Sequence, residues 1–278
     1  RKEGTAMKLA MVLAFATMLL RITPAVAGEP GYSVAADVPF GDLPRHTLDV
    51  YTPDTKTDET AVLVFLFGGA FSGGSKENVR KIGERFAGAG TIVVAPNYRI
   101  NTVFPNFVED AAKAVAYARK TQTTSAGDPR PIVLGGWSAG AYIGAKLAYD
   151  ERFLEAEGIP PGTVSGFIGL SGPYWGGLCG GSRCPNTFPP ETEADWPVAD
   201  FVDAGDPPML LVWGTRDGNV DRGNHEDLAA AAEAVGIDAT SLVLKDKFHS
   251  QTLYMMEDPE SEVHIAAGRF IAKTISER

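Results

Sequence analysis

Residues 131–140 read Pro-Ile-Val-Leu-Gly-Gly-Trp-Ser-Ala-Gly and lead into the helix-like run Ala141–Tyr149. Few folds accept a short apolar strand, Pro131–Leu134, that turns through Gly136-Trp137-Ser138-Ala139-Gly140 into a helix. The corner is too tight for side chains two residues either side of the serine, and glycine removes them. Such a turn pushes the serine hydroxyl into the open. It also sets the next backbone N–H at a helix N-terminus, where an anion is stabilised. A glycine-rich turn with an incidental serine would share these five residues. The flanking strand and helix favour a nucleophile elbow instead.

The remaining chain alternates strand-like and helix-like segments. Ala61–Phe67, Thr91–Ala95, Gly166–Leu170 and Met209–Trp213 are short apolar runs and are expected to be strands buried on both faces. Arg45–Tyr51 alternates apolar and polar residues, as a half-solvated strand does, and Thr240–Leu244 is a further strand. Glu77–Ala89, Phe107–Lys120, Asp221–Val235 and Glu262–Ile275 carry helical patterns. This order predicts an α/β fold, a mostly parallel central sheet flanked by helices, with the first strands forming an antiparallel edge. Ser171–Pro208 breaks the rhythm. It is rich in glycine, proline and tryptophan, and is expected to be a small lid inserted over the active site.

Length fits one such domain, expected over residues 28–278, with the lid at 171–208. The net charge of −10 argues against nucleic acid and anionic membrane surfaces as partners. Met7-Lys8, the apolar stretch Leu9–Leu20 and the small-x-small site Ala25-Val26-Ala27 read as a secretory signal, so residues 1–27 are expected to be removed and the protein secreted or periplasmic. Twelve apolar residues followed by Arg21 are too short for a stable membrane span, which needs about 20 residues. Cys179 and Cys184 lie close together in a Gly/Pro-rich segment, and in an exported protein such a pair is expected to close a small disulfide loop. No histidine lies nearby to complete a metal site, and none is expected.

A serine hydroxyl needs a base, an acid to orient that base, and donors for the developing oxyanion. In this kind of sheet the order along the chain is serine, acid, histidine, each in a turn beyond a strand C-terminus. Asp217 stands in the turn leaving Met209–Trp213 and is the expected acid, whereas Asp221 reads as a helix cap. Of the four histidines, His46 precedes the serine, while His225 and His264 fall within helical patterns. His249, after the strand Thr240–Leu244, is therefore the expected base. Gly69 and Ala70, in the glycine-rich loop after Ala61–Leu66, are the expected oxyanion donors together with Ala139. A phosphate loop would need a lysine and Ser/Thr at fixed positions, or GxGxxG, and neither occurs. Phe71, Trp137, Tyr174 and Trp175 are the expected substrate-binding side chains.

An ordered set of motifs joins this pattern: Leu48-Asp49-Val50-Tyr51-Thr52-Pro53, Phe67-Gly68-Gly69-Ala70-Phe71-Ser72-Gly73-Gly74-Ser75-Lys76, Pro96-Asn97-Tyr98-Arg99, Phe104-Pro105, Asp110 and Gly136–Gly140. With these the chain, from about Leu48 onward, resembles the α/β-hydrolase superfamily. Within it the chain is similar to bacterial esterases with a His-Gly-Gly loop, related to acetyl- and feruloyl-esterase domains and to kynurenine formamidases. The family loop usually opens with histidine, where this chain has Phe67. The resemblance implies that this position supports the loop and is not itself a donor.

The expected chemistry is hydrolysis of small or short-acyl esters through an acyl-enzyme on Ser138, with Asp217 and His249 as partners, a small-molecule ester as substrate and no cofactor. A formamidase using the same machinery is the nearest alternative. A non-catalytic hydrolase-fold binding protein is a second, but such proteins usually lose part of the triad. Nothing in the sequence settles the oligomeric state.

Overall fold

The computed structural model describes residues 31–176 and 187–277. The expected signal segment at 1–27 and the Cys179–Cys184 pair lie outside the described residues. Eight strands form one sheet in the order β1-β2-β4-β3-β5-β6-β7-β8. They are β1 (Tyr32–Pro39), β2 (Thr47–Pro53), β3 (Val62–Leu66), β4 (Ile92–Pro96), β5 (Ile132–Trp137), β6 (Val164–Leu170), β7 (Met209–Gly214) and β8 (Ala239–Leu244). β1 and β2 are antiparallel and form one edge, while β4, β3, β5, β6, β7 and β8 run parallel. The Val/Ile/Leu-rich strands β3 and β4 are buried along their whole length, as central parallel strands must be when helices cover both faces.

The helices are α1 (Arg80–Gly88), α2 (Asn106–Thr121), α3 (Ala139–Tyr149), α4 (Glu151–Ala156), α5 (Arg222–Ala234), α6 (His249–Glu257) and α7 (Glu262–Ser276). α1 meets α6, and its Phe86 ring meets His264 on α7, while α2 packs against α3 and α4. The sequence led us to expect one helix over Glu77–Ala89. Instead a 3-10 turn at Lys76–Val79 precedes α1. The exposed strand β1 and the short helix α4 carry no apolar stripe long enough to announce them. His249, expected in a loop, is the first residue of α6.

Chain order reverses direction in the sheet between β3 and β5: β4 is reached on one side of β3 and β5 on the other. At such a switch point the loops leaving adjacent parallel strands part and open a crevice at their C-terminal ends. Leu66 at the end of β3 pairs with Gly136 near the end of β5. The glycine loop after β3 and the serine turn after β5 therefore emerge side by side.

Candidate active site

Ser138 occupies the corner between β5 and α3 with φ 56° and ψ −122°, a region non-glycine residues rarely adopt. Its amide donates to the Leu170 carbonyl on β6 at 2.8 Å, which fixes the corner against the sheet. The two glycines around it meet a steric demand. A Cβ at Gly136 would lie 2.4 Å from the Gly140 carbonyl, and one at Gly140 would lie 2.2 Å from the Leu66 carbonyl. The elbow thus closes on itself and against the end of β3 with no room for a methyl group.

From this corner a polar relay runs outward. Ser138 Oγ lies 2.9 Å from His249 Nε2, and His249 Nδ1 lies 2.8 Å from Asp217 Oδ2. The other carboxylate oxygen of Asp217 accepts the amides of Asn219 at 2.9 Å and Val220 at 3.0 Å. Burial of this carboxyl favours its protonated form, but the His249 contact and the two amides outweigh burial and hold its pKa below the usual carboxylate range. Asp217 is therefore an anion with its acceptors filled, and the His249 proton belongs on Nδ1. That leaves the Nε2 lone pair facing the serine hydroxyl, which donates to it.

The glycine loop after β3 forms the facing wall. Gly69, Ala70 and Phe71 have φ values of 141°, 50° and 58°, and a Cβ at Gly69 would lie 2.1 Å from the Gly73 carbonyl. The amides of Gly69, Ala70 and Ala139 donate to no group among the described residues. Both ends of the loop are clamped. The Phe67 ring stacks on Tyr98 at 4.2 Å, Tyr98 Oη donates to the Phe67 carbonyl at 2.7 Å, and Arg45 donates to the Tyr98 carbonyl at 2.7 Å and the Gly74 carbonyl at 2.9 Å. Phe67 thus props the loop through its ring.

The expected substrate-binding residues divide. Trp137 is half-buried beside the relay: its ring lies 5.1 Å from the His249 ring, and its indole N–H donates to the His249 carbonyl at 3.2 Å. Thr252 donates to the same carbonyl at 2.9 Å and lies 3.2 Å from the Ser171 hydroxyl. Trp175 sits on the first turn of α5, its amide bonded to Asn224 and its indole to Asp227. Phe71 and Tyr174 require correction. Phe71 is 2% exposed and packs into an aromatic cluster. Tyr174 is 3% exposed and packs edge-on against Phe167. Apolar contact draws both rings into the core. Sequence reasoning missed Thr252 and Arg45 and gave Tyr98 no role beyond the Pro96–Arg99 motif, because their roles depend on which loops meet. The sequence assigns Trp137 to substrate contact, whereas its indole bonds the backbone of His249.

Among the described residues, no group of three or more His, Cys, Asp or Glu side chains is placed to hold a metal, and no helix is long and apolar enough to cross a membrane.

A sheet of this order, with a serine on the β5–α3 corner and a carboxylate and an imidazole after β7 and β8, defines a class. Its fold is that of the α/β-hydrolases, and its sequence is similar to those of esterases. The family model BD-FAE matches residues 48–158. The chain is 28% identical over 250 residues to the probable isoprenylcysteine alpha-carbonyl methylesterase ICME of Oryza sativa subsp. japonica, a match covering 81% of this chain and 60% of that protein. It is 28% identical over 221 residues to the esterase LipC of Mycobacterium tuberculosis, covering 70% of this chain and 55% of that one. The chain thus spans less than two thirds of these curated relatives. Among solved structures, a truncated carbohydrate esterase from gut microbiota superposes with a TM-score of 0.72 at 19% identity, covering 90% of this chain and 99% of the other. Thermogutta terrifontis esterase 2 phosphorylated by paraoxon gives 0.64 at 22% identity, covering 87% and 91%. At these identities the structural matches establish the fold.

Proposed function

We propose that this chain is a serine carboxylesterase acting on small or short-acyl esters. The observation that carries the proposal is the unbroken relay from Ser138 Oγ through both ring nitrogens of His249 to Asp217, at 2.9 and 2.8 Å, beside unpaired backbone amides. Ser138 Oγ bonds to the ester carbonyl carbon while its proton passes to His249 Nε2. Asp217 stabilises the imidazolium that forms. The amides of Gly69, Ala70 and Ala139 receive the oxyanion. As the tetrahedral intermediate collapses, the C–O bond breaks and the leaving alkoxide takes the proton from His249. Water, deprotonated by the same imidazole, then releases the acid and restores Ser138.

The named activities of the relatives, methylesterase and esterase, support an ester substrate. The insertion at 171–208 is short, which favours small esters over the interfacial substrates of a lipase. The Leu9–Leu20 stretch and the Ala25-Val26-Ala27 site support export, and N-terminal sequencing of exported protein should find a start near Gly28.

The test is hydrolysis of p-nitrophenyl esters of increasing chain length, run beside acetylated xylan, methyl ferulate and N-formylkynurenine. Acetyl to butyryl esters should be the best substrates. Ser138→Ala should lower kcat by roughly 10⁶-fold, the scale on which triad nucleophiles act, with an unchanged melting temperature. An alanine variant that kept most of the activity would remove the proposal. Preference for N-formylkynurenine would shift it to the amide alternative.

A further inference from the structure

We infer that Phe188, on the segment between β6 and β7, is a positioning residue that holds the oxyanion loop in its active shape. This rests on the esterase reading above and goes beyond it, because Phe188 touches no reacting atom. The starting observation is strain. Ala70 and Phe71 are consecutive non-glycine residues in the left-handed region, with φ of 50° and 58°. Such backbone persists only where the surroundings over-determine it. The Phe67 end of the loop is held from within the domain, by Tyr98 and Arg45. The Phe71 end is held differently. Its carbonyl accepts the Asn101 amide at 2.8 Å, and its ring is gripped by aromatic partners.

Phe188 closes that grip. Its ring meets Phe71 edge-on at 5.1 Å and 84°, and it also contacts Phe104, Phe107, Tyr142 and Trp196 at 5.5–5.9 Å. Only 3% of Phe188 is exposed. Edge-to-face contacts of this kind are directional, so they fix where the Phe71 ring lies and not merely that it is buried.

The segment carrying Phe188 is in turn fastened to α3, the helix that begins at the serine corner. Tyr142 Oη donates to the Trp196 carbonyl at 3.0 Å, and Lys146 Nζ donates to the Asp195 carbonyl at 3.0 Å while lying 3.5 Å over the Phe201 ring. The Phe104 amide donates to the Thr187 carbonyl at 2.7 Å, next to Phe188. Nucleophile helix, oxyanion loop and inserted segment therefore share one aromatic keystone. Residues 187–201 act as a fixed brace: they set the hole before substrate arrives.

The experiment compares the wild type with Phe188→Ala and Phe188→Leu on a matched ester and thionoester, alongside far-UV circular dichroism and thermal melting. An oxyanion hole stabilises oxygen far better than sulfur, so the ratio of kcat/KM for the two substrates reports on the hole itself. For Phe188→Ala we expect kcat on the ester to fall about 10²-fold, the scale of losing one oxyanion donor, with KM little changed. The ester-to-thionoester ratio should fall by about tenfold or more, because the thionoester depends less on the same donors. Phe188→Leu, which keeps most of the volume, should show the same signature in weaker form. It decides the matter alone should the alanine variant fail to fold. An unchanged ratio in a folded variant, whether both substrates lose equally or neither loses, overturns the inference and leaves the esterase reading intact. A wild type inert on the ester overturns that reading first, and this inference with it.

Discussion

At Trp137 a single indole meets two demands. Its backbone is the last residue of β5, so it stands next to Ser138 whatever its side chain does. Its N–H then reaches across to the carbonyl of His249, 3.2 Å away, where Thr252 also donates. The carbonyl belongs to the residue whose ring must hold a 2.9 Å contact with Ser138, so these donors set where α6 starts and hence where the imidazole points. Trp137→Phe keeps the ring and deletes the donor. One net hydrogen bond is worth about 1 kcal/mol, so kcat should fall about fivefold with KM nearly unchanged, as steady-state kinetics on a short-chain ester will read. Equal loss in KM would instead mark Trp137 as a substrate contact, the role its sequence position suggested. The same contrast explains what was legible residue by residue. Ser138, Asp217 and His249 follow β5, β7 and β8 in a fixed chain order, among few histidines, so their meeting could be foreseen. Whether an aromatic ring in a loop faces a pocket or the core depends on partners from distant segments, and Phe71 and Tyr174 turned inward.

Elements show a related division. The apolar runs of β3, β4, β6 and β7 announce buried parallel strands, because each is too short for a buried helix such as α3, whose eleven residues are all buried. β1 does not announce itself: most of its residues are exposed, and pairing with β2 places it. A buried ammonium reinforces that edge. Lys76 has a 4% exposed side chain whose Nζ lies 2.7 Å from Asp49 on β2, 2.9 Å from Asp37 on β1 and 3.2 Å from Glu77. Burial disfavours the charged lysine, but the three carboxylates more than compensate and raise its pKa above the ordinary 10.5. The charged lysine therefore contributes fully below that value, and its contribution is lost as pH rises into strong alkali. Lys76→Met should cost about 3 kcal/mol, since removing one partner strands a buried charge. Urea unfolding near neutral pH will measure it, and adding Asp49→Asn should recover part of the loss. A Lys76→Met protein as stable as the wild type would mean that the strand edge holds without its ion pair. A lone lysine after a glycine loop gives no hint of this, because lysine is exposed by default.

Across the whole molecule, charge placement is the least legible property, since sequence gives net charge and tertiary structure gives partners. Asp110, Asp150 and Asp217 lie in three separate regions, and burial alone would raise all of them. Arg99 with His46, Arg152 with Lys146, and His249 with two amides instead hold them below the ordinary 3.8. Their stabilisation is present above 3.8 and disappears as pH falls through the lower folded values. Two other groups titrate nearer neutrality with opposite signs. Burial depresses His225 below 6.5, so acidification protonates the unfolded chain first and stability falls. Asp206, near the end of the inserted segment just before β7, is pushed up to about 7, first by burial and then by Asp203 and Glu151, despite the Asp203 amide that its carboxylate accepts. Its folded form binds a proton that the unfolded form refuses, so stability rises as pH falls from above 7 towards 3.8. In the wild type these two trends oppose one another and mask each other. Asp206→Asn separates them, because the amide keeps the size and one acceptor while removing the charge. The variant should melt higher than the wild type at about pH 8, and the gap should shrink through neutrality and close near pH 4. The contribution of His225 cancels in that difference. A gap of constant size across the range would mean that the gain comes from packing, and that Asp206 does not titrate where its surroundings place it.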